Sequence, residues 1–220
     1  MRILIQKMAQ ATRTALTAVC LCCLCCLVSS CSETSGEEDE YANWQQRNEV
    51  YFASLADSLS KDPTKWRRIK NFSLDPNTEG KATDYIYVKT IAPGGDSESP
   101  VFTDSVRISY QGRIIPTTNY PQGKVFDGTV YGTYSMATNA TTRMKLSTLV
   151  VGMETALQHM HRGDYWRVYI PQEMGYGNRD QTSSGIPPYS VLIFDLTLVD
   201  FSPAGQAMPA WSARQKEWID

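Results

Sequence analysis

Cysteine and histidine are the side chains best suited to metal, redox or nucleophilic work, and in this 220-residue sequence their placement argues against it. The six cysteines fall at positions 20, 22, 23, 25, 26 and 31. Cys22-Cys23-Leu24-Cys25-Cys26 holds two overlapping C-x-x-C spacings, which could suggest a zinc or thiol-exchange site. They sit, however, in an apolar run from Leu16 to Val28, where a thiol acts as a small hydrophobe, with no histidine or acid nearby to complete a metal shell. His159 and His161, the only histidines, are two apart, so on a helix their rings face different directions. The sequence has no G-x-S-x-G, no H-E-x-x-H and no phosphate loop.

What remains is an aromatic and aliphatic pattern with fixed punctuation. Val106-x-Ile108-x-Tyr110-x-Gly112 comes first, followed by Val125-Phe126-Asp127-Gly128. Leu149-Val150-Val151-Gly152-Met153-Glu154-x-Ala156-Leu157-x-x-Met160-x-x-Gly163 is next, then Trp166 to Gly177, then Ile186-Pro187-Pro188 to Leu196. Taken singly, Phe126, Phe194 and Tyr110 read as core residues, and Asp127 as a turn cap. Their joint occurrence, in this order, reads as a pocket.

In these five motifs the chain resembles the FKBP family of peptidyl-prolyl cis-trans isomerases, over about 118 of its 220 residues. The resemblance is nearest to the bacterial lipoprotein and periplasmic branch. It implies an α+β fold, a curved antiparallel sheet wrapped around one short helix, here preceded by a small helical segment. It implies a pocket walled by Tyr110, Phe126, Asp127, Tyr176 and Phe194, the catalytic positions. Leu149, Val150, Met153 and Ile186 fill the substrate-binding positions, with the Val150 N–H as donor to a ligand carbonyl. Three features depart from the family pattern. Met153 replaces the usual tryptophan floor, Met144 stands where phenylalanine is common, and the loop before Phe126 is longer. A Met floor stays apolar but is flexible, which predicts weaker activity or altered preference. The implied clients are proline-containing polypeptides, and no cofactor or metal is implied. The alternative is an FKBP-like binding or chaperone module with little or no isomerase activity.

The elements that must position these residues are legible from periodicity. Asp84–Ile91 and Val106–Gly112 alternate as strands, with Val106, Ile108 and Tyr110 on one side and polar groups opposite. Tyr131–Thr142 reads as loop with weak strand. Met153, Ala156, Leu157 and Met160 have i, i+3, i+4, i+7 spacing, predicting a helix over Gly152–Arg162 with Gly163 as its left-handed cap. Trp166–Ile170 alternates, and the nearly continuous apolar run Val191–Val199 predicts a central strand.

The remaining segments flank that domain. Residues 1–30 read as a secretory signal peptide, because basic residues precede an apolar run of about 13 residues, too short for the ~20 of a membrane-spanning helix. Val28-Ser29-Ser30-Cys31 is similar to a bacterial lipobox, which implies a lipid anchor on Cys31; Ser32, where the common inner-membrane retention signal would place Asp, makes the outer membrane the expected destination. Without residues 1–30 the chain carries 18 basic against 23 acidic side chains, or −5, which argues against a nucleic-acid partner. Residues 31–40 read as an acidic tether and residues 41–82 as a helical module and linker. Within that module one helix is predicted over Tyr41–Leu59 and a short second one over Thr64–Ile69. The apolar face of residues 41–59 could dock on the main domain, 83–201, or pair two copies as a homodimer. Residues 202–220 form a C-terminal extension with Trp211 and Trp218.

Overall fold

The structure is a computed structural model, and it describes residues 39–135 and 138–208. The expected signal peptide, Cys31 and most of the expected acidic tether lie outside the described residues, as do Trp211 and Trp218. Among the described residues no helix is long and apolar enough to cross a membrane.

Seven antiparallel strands form one sheet. In chain order they are β1 (Trp66–Lys70), β2 (Tyr85–Ala92), β3 (Ser105–Arg113), β4 (Val125–Gly128), β5 (Thr142–Lys145), β6 (Tyr165–Ile170) and β7 (Leu192–Ser202). Their spatial order is β1-β2-β6-β7-β3-β4, with β5 also paired to β3. β4 pairs with Gln111–Arg113 of β3 and β5 with Ser105–Ile108, so one edge of β3 is shared end to end. β7 lies between β6 and β3, the central place its apolar run predicts.

Strand alternation divides the sheet into two chemically different faces. One carries Val88, Ile108, Tyr110, Trp166, Val168, Phe194, Leu196 and Leu198, placed together by the cross-strand register. On this face lies the short helix α2 (Val151–Leu157), whose Gly152 rests on Ile170 so closely that a Cβ would come within 2.3 Å. The second face carries Tyr87, Tyr169 and Ile193, then Arg113, Arg167, Asp195, Ser109 and Thr197. The polar side of β3 is therefore not a solvent face: Arg107, Ser109 and Gln111 are buried. The loop after β4 covers part of it. Tyr134 stacks on Tyr165 at 4.5 Å, donates to the Ser109 carbonyl at 2.9 Å and bonds the Thr197 hydroxyl at 2.7 Å. The weak strand expected over Tyr131–Thr142 is not formed among the described residues before β5.

Helix α1 (Trp44–Lys61) covers the rest of this second face. Its Phe52 meets Tyr87 edge-on at 5.3 Å, and its Tyr51 meets Tyr169 at 6.4 Å. Trp44, Asn48, Phe52 and Leu55 form its buried stripe. The apolar face of residues 41–59 therefore docks on the chain's own sheet. Glu40, the last residue of the expected tether, is engaged too, accepting from the Thr117 hydroxyl at 2.6 Å.

Two helix expectations need correction. Residues 64–69 are not helical, since Trp66–Lys70 forms edge strand β1 against β2. Trp66 stacks on Tyr169 at 5.3 Å on one face, and Arg67 lies 4.2 Å over the Trp166 ring on the other. These contacts alternate with period two and outweigh a weak helical preference. Helix α2 ends at Leu157 instead of continuing to Arg162. Beyond it the bonds tighten from four residues back to three, with His159 N–H on Ala156 and Met160 N–H on Leu157. Asp164 then gathers the backbone N–H groups of His161 and Gly94, both at 2.7 Å. Gly163 does have positive φ, +88°, but within this turn and not at the helix cap, which is Gln158. The apolar stripe itself holds: Met153, Ala156, Leu157 and Met160 are all buried.

Candidate functional site: an aromatic cavity between the sheet and the short helix

The apolar face of the sheet is not fully covered by α2. Between them opens a cavity of about 520 Å³. Strand β3 supplies Ile108 and Tyr110, β4 supplies Phe126 and Asp127, β5 supplies Met144 and β7 supplies Phe194. The turn into α2 supplies Leu149 and Val150, α2 supplies Met153, and the loop after β6 supplies Tyr176, Arg179 and Gln181.

The aromatic wall depends on a missing side chain. Phe126 and Phe194 meet edge to face at 5.6 Å, and Tyr110 lies 6.1 Å from Phe194. Gly112 runs behind them, and a Cβ there would stand 2.7 Å from both Phe126 and Phe194. Only glycine lets β3 pass beneath both rings.

The polar groups divide into engaged and free. The Tyr110 hydroxyl donates to Asp127 Oδ2 at 2.7 Å, and Oδ1 accepts from the Gly128 N–H at 2.8 Å. Asp127 is thus both the turn cap and the pocket acid that its position allowed. Burial first, then the hydrogen bond to Asp127, pushes the Tyr110 pKa well up, so this hydroxyl stays a neutral donor. Burial and the Asp127 charge also raise the pKa of Tyr176. Among the described residues the Tyr176 hydroxyl and the Val150 N–H have no hydrogen-bond partner. The Val150 carbonyl, by contrast, starts α2 by accepting from Met153 and Glu154 at 2.8 and 3.0 Å.

Eight of the nine residues read from sequence as pocket positions meet here: Tyr110, Phe126, Asp127, Leu149, Val150, Met153, Tyr176 and Phe194. Ile186 does not line the cavity. It is buried in the core and exchanges backbone bonds with Gln181 at 3.2 and 3.3 Å, closing the turn that follows Arg179 and Gln181. Ile108, Val151, Arg179 and Gln181 line the cavity without having been singled out. Ile108 shares a strand face with Tyr110 and was open to inference from alternation. Arg179 and Gln181 lie on an irregular loop, where no period signals direction.

The fold and cavity define an α+β domain built to hold a small apolar group between aromatic walls, with neutral donors at its rim. Residues 96–199 match the family model described as FKBP-type peptidyl-prolyl cis-trans isomerase, and the domain they form belongs to that family. The chain is 33% identical over 122 residues to the macrophage infectivity potentiator of Trypanosoma cruzi, covering 54% of this chain and 55% of the relative. It is 34% identical over 106 residues to the FKBP-type 22 kDa peptidyl-prolyl cis-trans isomerase of Escherichia coli K12, covering 48% and 45%. It thus spans about half the length of these curated relatives. The crystal structure of FkpA from Escherichia coli superposes with a TM-score of 0.50 at 20% identity, over 91% of this chain and 72% of that one, which is a likeness of fold.

Proposed function

We propose that this chain is a peptidyl-prolyl cis-trans isomerase acting on proline-containing polypeptides of the cell envelope. The observation that carries the reading is the cavity, whose apolar walls end in two neutral donors without a partner among the described residues, the Tyr176 O–H and the Val150 N–H.

The chemistry needs no proton transfer and no covalent intermediate. The barrier to X-Pro rotation, ~18–20 kcal/mol, is the resonance lost on twisting the amide. A twisted amide has a less polarised carbonyl, so apolar surroundings disfavour the planar form more. Phe126, Phe194, Tyr110 and Met153 supply those surroundings and grip the ring. Val150 N–H and Tyr176 O–H hold the flanking carbonyls, so the peptide is fixed while the bond turns. Asp127 orients Tyr110 and the end of β4. Each ~1.4 kcal/mol of stabilisation confined to the twisted state is worth about tenfold in rate. The test is proline isomerisation of a short X-Pro peptide by the full chain at micromolar protein. Acceleration over buffer is the expected result, and none from a folded protein refutes the reading.

The second reading, a binding or chaperone module, draws on Met153, whose flexible thioether forms the floor. Suppressed aggregation without faster isomerisation would favour it. Signal-peptide cleavage and a lipid on Cys31, on the outer membrane, belong to this proposal and rest on residues 1–32 of the sequence. A homodimer through residues 41–59 would have to use a face other than the one docked on the sheet.

A further inference from the structure

Arg179 stands exposed at the mouth of the cavity. Its Nε donates to the Tyr176 carbonyl at 3.2 Å, which ties the guanidinium beside the pocket tyrosine and leaves both terminal nitrogens for another acceptor. Among the described residues Arg179 forms no ion pair. Asp127, the acid lining the cavity, already serves the Tyr110 hydroxyl with one oxygen and the Gly128 N–H with the other. Asp180, next along the chain, is exposed and is not part of the lining. Among the described residues the mouth thus offers a cation in no ion pair, beside a cavity whose acid keeps its charge but has both oxygens hydrogen-bonded.

We propose that Arg179 is a specificity residue that favours substrates with a carboxylate side chain next to the proline. This rests on the isomerase reading above. When an apolar ring enters the cavity, the residues flanking it in the peptide must cross the mouth. A guanidinium whose two terminal nitrogens are free can take a carboxylate through paired N–H donors. The pair is solvent-exposed, so its effect is modest, about two- to fivefold in kcat/KM. The charge of Arg179 already reaches the Tyr176 hydroxyl, opposing the upward shift caused by burial.

The test compares two peptide pairs on the full chain, Glu-Pro against Gln-Pro and Pro-Glu against Pro-Gln, in the parent protein and in Arg179→Gln. The expected result is a Glu-to-Gln ratio of kcat/KM of about two to five in at least one pair. That ratio falls toward one in Arg179→Gln, is largely restored in Arg179→Lys, and shrinks as salt is raised. Equal ratios in parent and variant, or a parent ratio at or below one in both pairs, overturn the proposal. If no peptide is isomerised faster than in buffer, the isomerase reading fails by itself. The Arg179 proposal is then decided by titrating the same peptides onto the protein: a Glu-over-Gln affinity ratio lost in Arg179→Gln supports it, and equal affinities overturn it.

Discussion

The Trp44 indole N–H donates to the Ser190 hydroxyl at 2.9 Å across 146 positions of sequence, and both residues are buried. Ser190 passes the bond on to the Pro187 carbonyl at 2.6 Å. One turn along α1, Asn48 takes the Val191 N–H on its Oδ1 at 2.8 Å and donates to the Trp44 carbonyl at 2.8 Å. Helix α1 is thereby bonded to the end of the loop that begins at Tyr176, where Tyr189 N–H also reaches back to the Gly177 carbonyl at 2.8 Å.

This junction predicts that the helix before the family domain contributes to its stability. Asn48→Ala leaves the buried Val191 N–H unpaired and should cost about 1–3 kcal/mol, whereas Trp44→Phe loses one hydrogen bond and should cost about 1 kcal/mol. Urea denaturation of each variant measures both. Unchanged midpoints would show that α1 is only loosely seated.

In the cavity, Phe126→Ala should lower kcat/KM about tenfold or more, since it removes one wall and the edge-to-face partner of Phe194. Phe126 is only half-buried, so much of the fold's stability should survive. Asp127→Ala frees the Tyr110 hydroxyl and should also slow isomerisation. A proline-isomerisation assay beside a denaturation curve separates the two effects, and an unchanged rate for either variant would misplace the pocket.

Gly112→Ala tests the close passage of β3 beneath the rings. The added methyl must displace Phe126 and Phe194, an overpacking that typically costs about 1–3 kcal/mol. Stability and activity should fall together here, unlike in Phe126→Ala. A variant as stable and active as the parent would contradict the geometry.

On the second face, Asp195 is buried and is held by Arg113 and by both Nε and Nη2 of Arg167, the first of these at 2.6 Å. Removing the carboxylate leaves two guanidinium groups facing each other, so Asp195→Ala should destabilise by about 3–5 kcal/mol. Arg113→Ala plus Asp195→Ala should cost less than the separate losses combined, and a double-mutant cycle reads this directly. Additive losses would mean that the groups do not interact.

Alkaline pH should weaken the same face. Burial pushes Tyr51 and Tyr165 up to about 12 from an ordinary value near 10, so at pH 11 the folded state holds protons that the unfolded chain has lost. Stability from these groups is fully present below pH ~10 and is lost as pH rises through about 12. Urea midpoints should fall over that window as tyrosinate absorbance, measured alongside, rises. A midpoint independent of pH there would refute the burial of these rings.

Several features were legible from residues alone. Period-two runs located β2, β3 and β6, and the nearly continuous apolar run Val191–Val199 located β7 and placed it at the centre. Eight pocket residues were legible because each sits on or beside a regular element whose alternation, or whose match to the family motifs, gives its direction. Periodicity reports which residues share a face, but not what covers that face. Only the tertiary structure decided that α1 lies on the domain's own sheet, that Trp66–Lys70 pairs with β2 instead of coiling, and that α2 stops at Leu157 because Asp164 draws the next turn aside. Ile186 turned into the core and Arg179 to the mouth for the same reason: on an irregular loop, side-chain direction is set by non-periodic bonds, local ones such as Gln181 to Ile186 and distant ones such as Trp44 to Ser190. The sequence by itself determined that an aromatic cavity of this kind could exist, and the long-range packing decided which polar groups remain free at its rim.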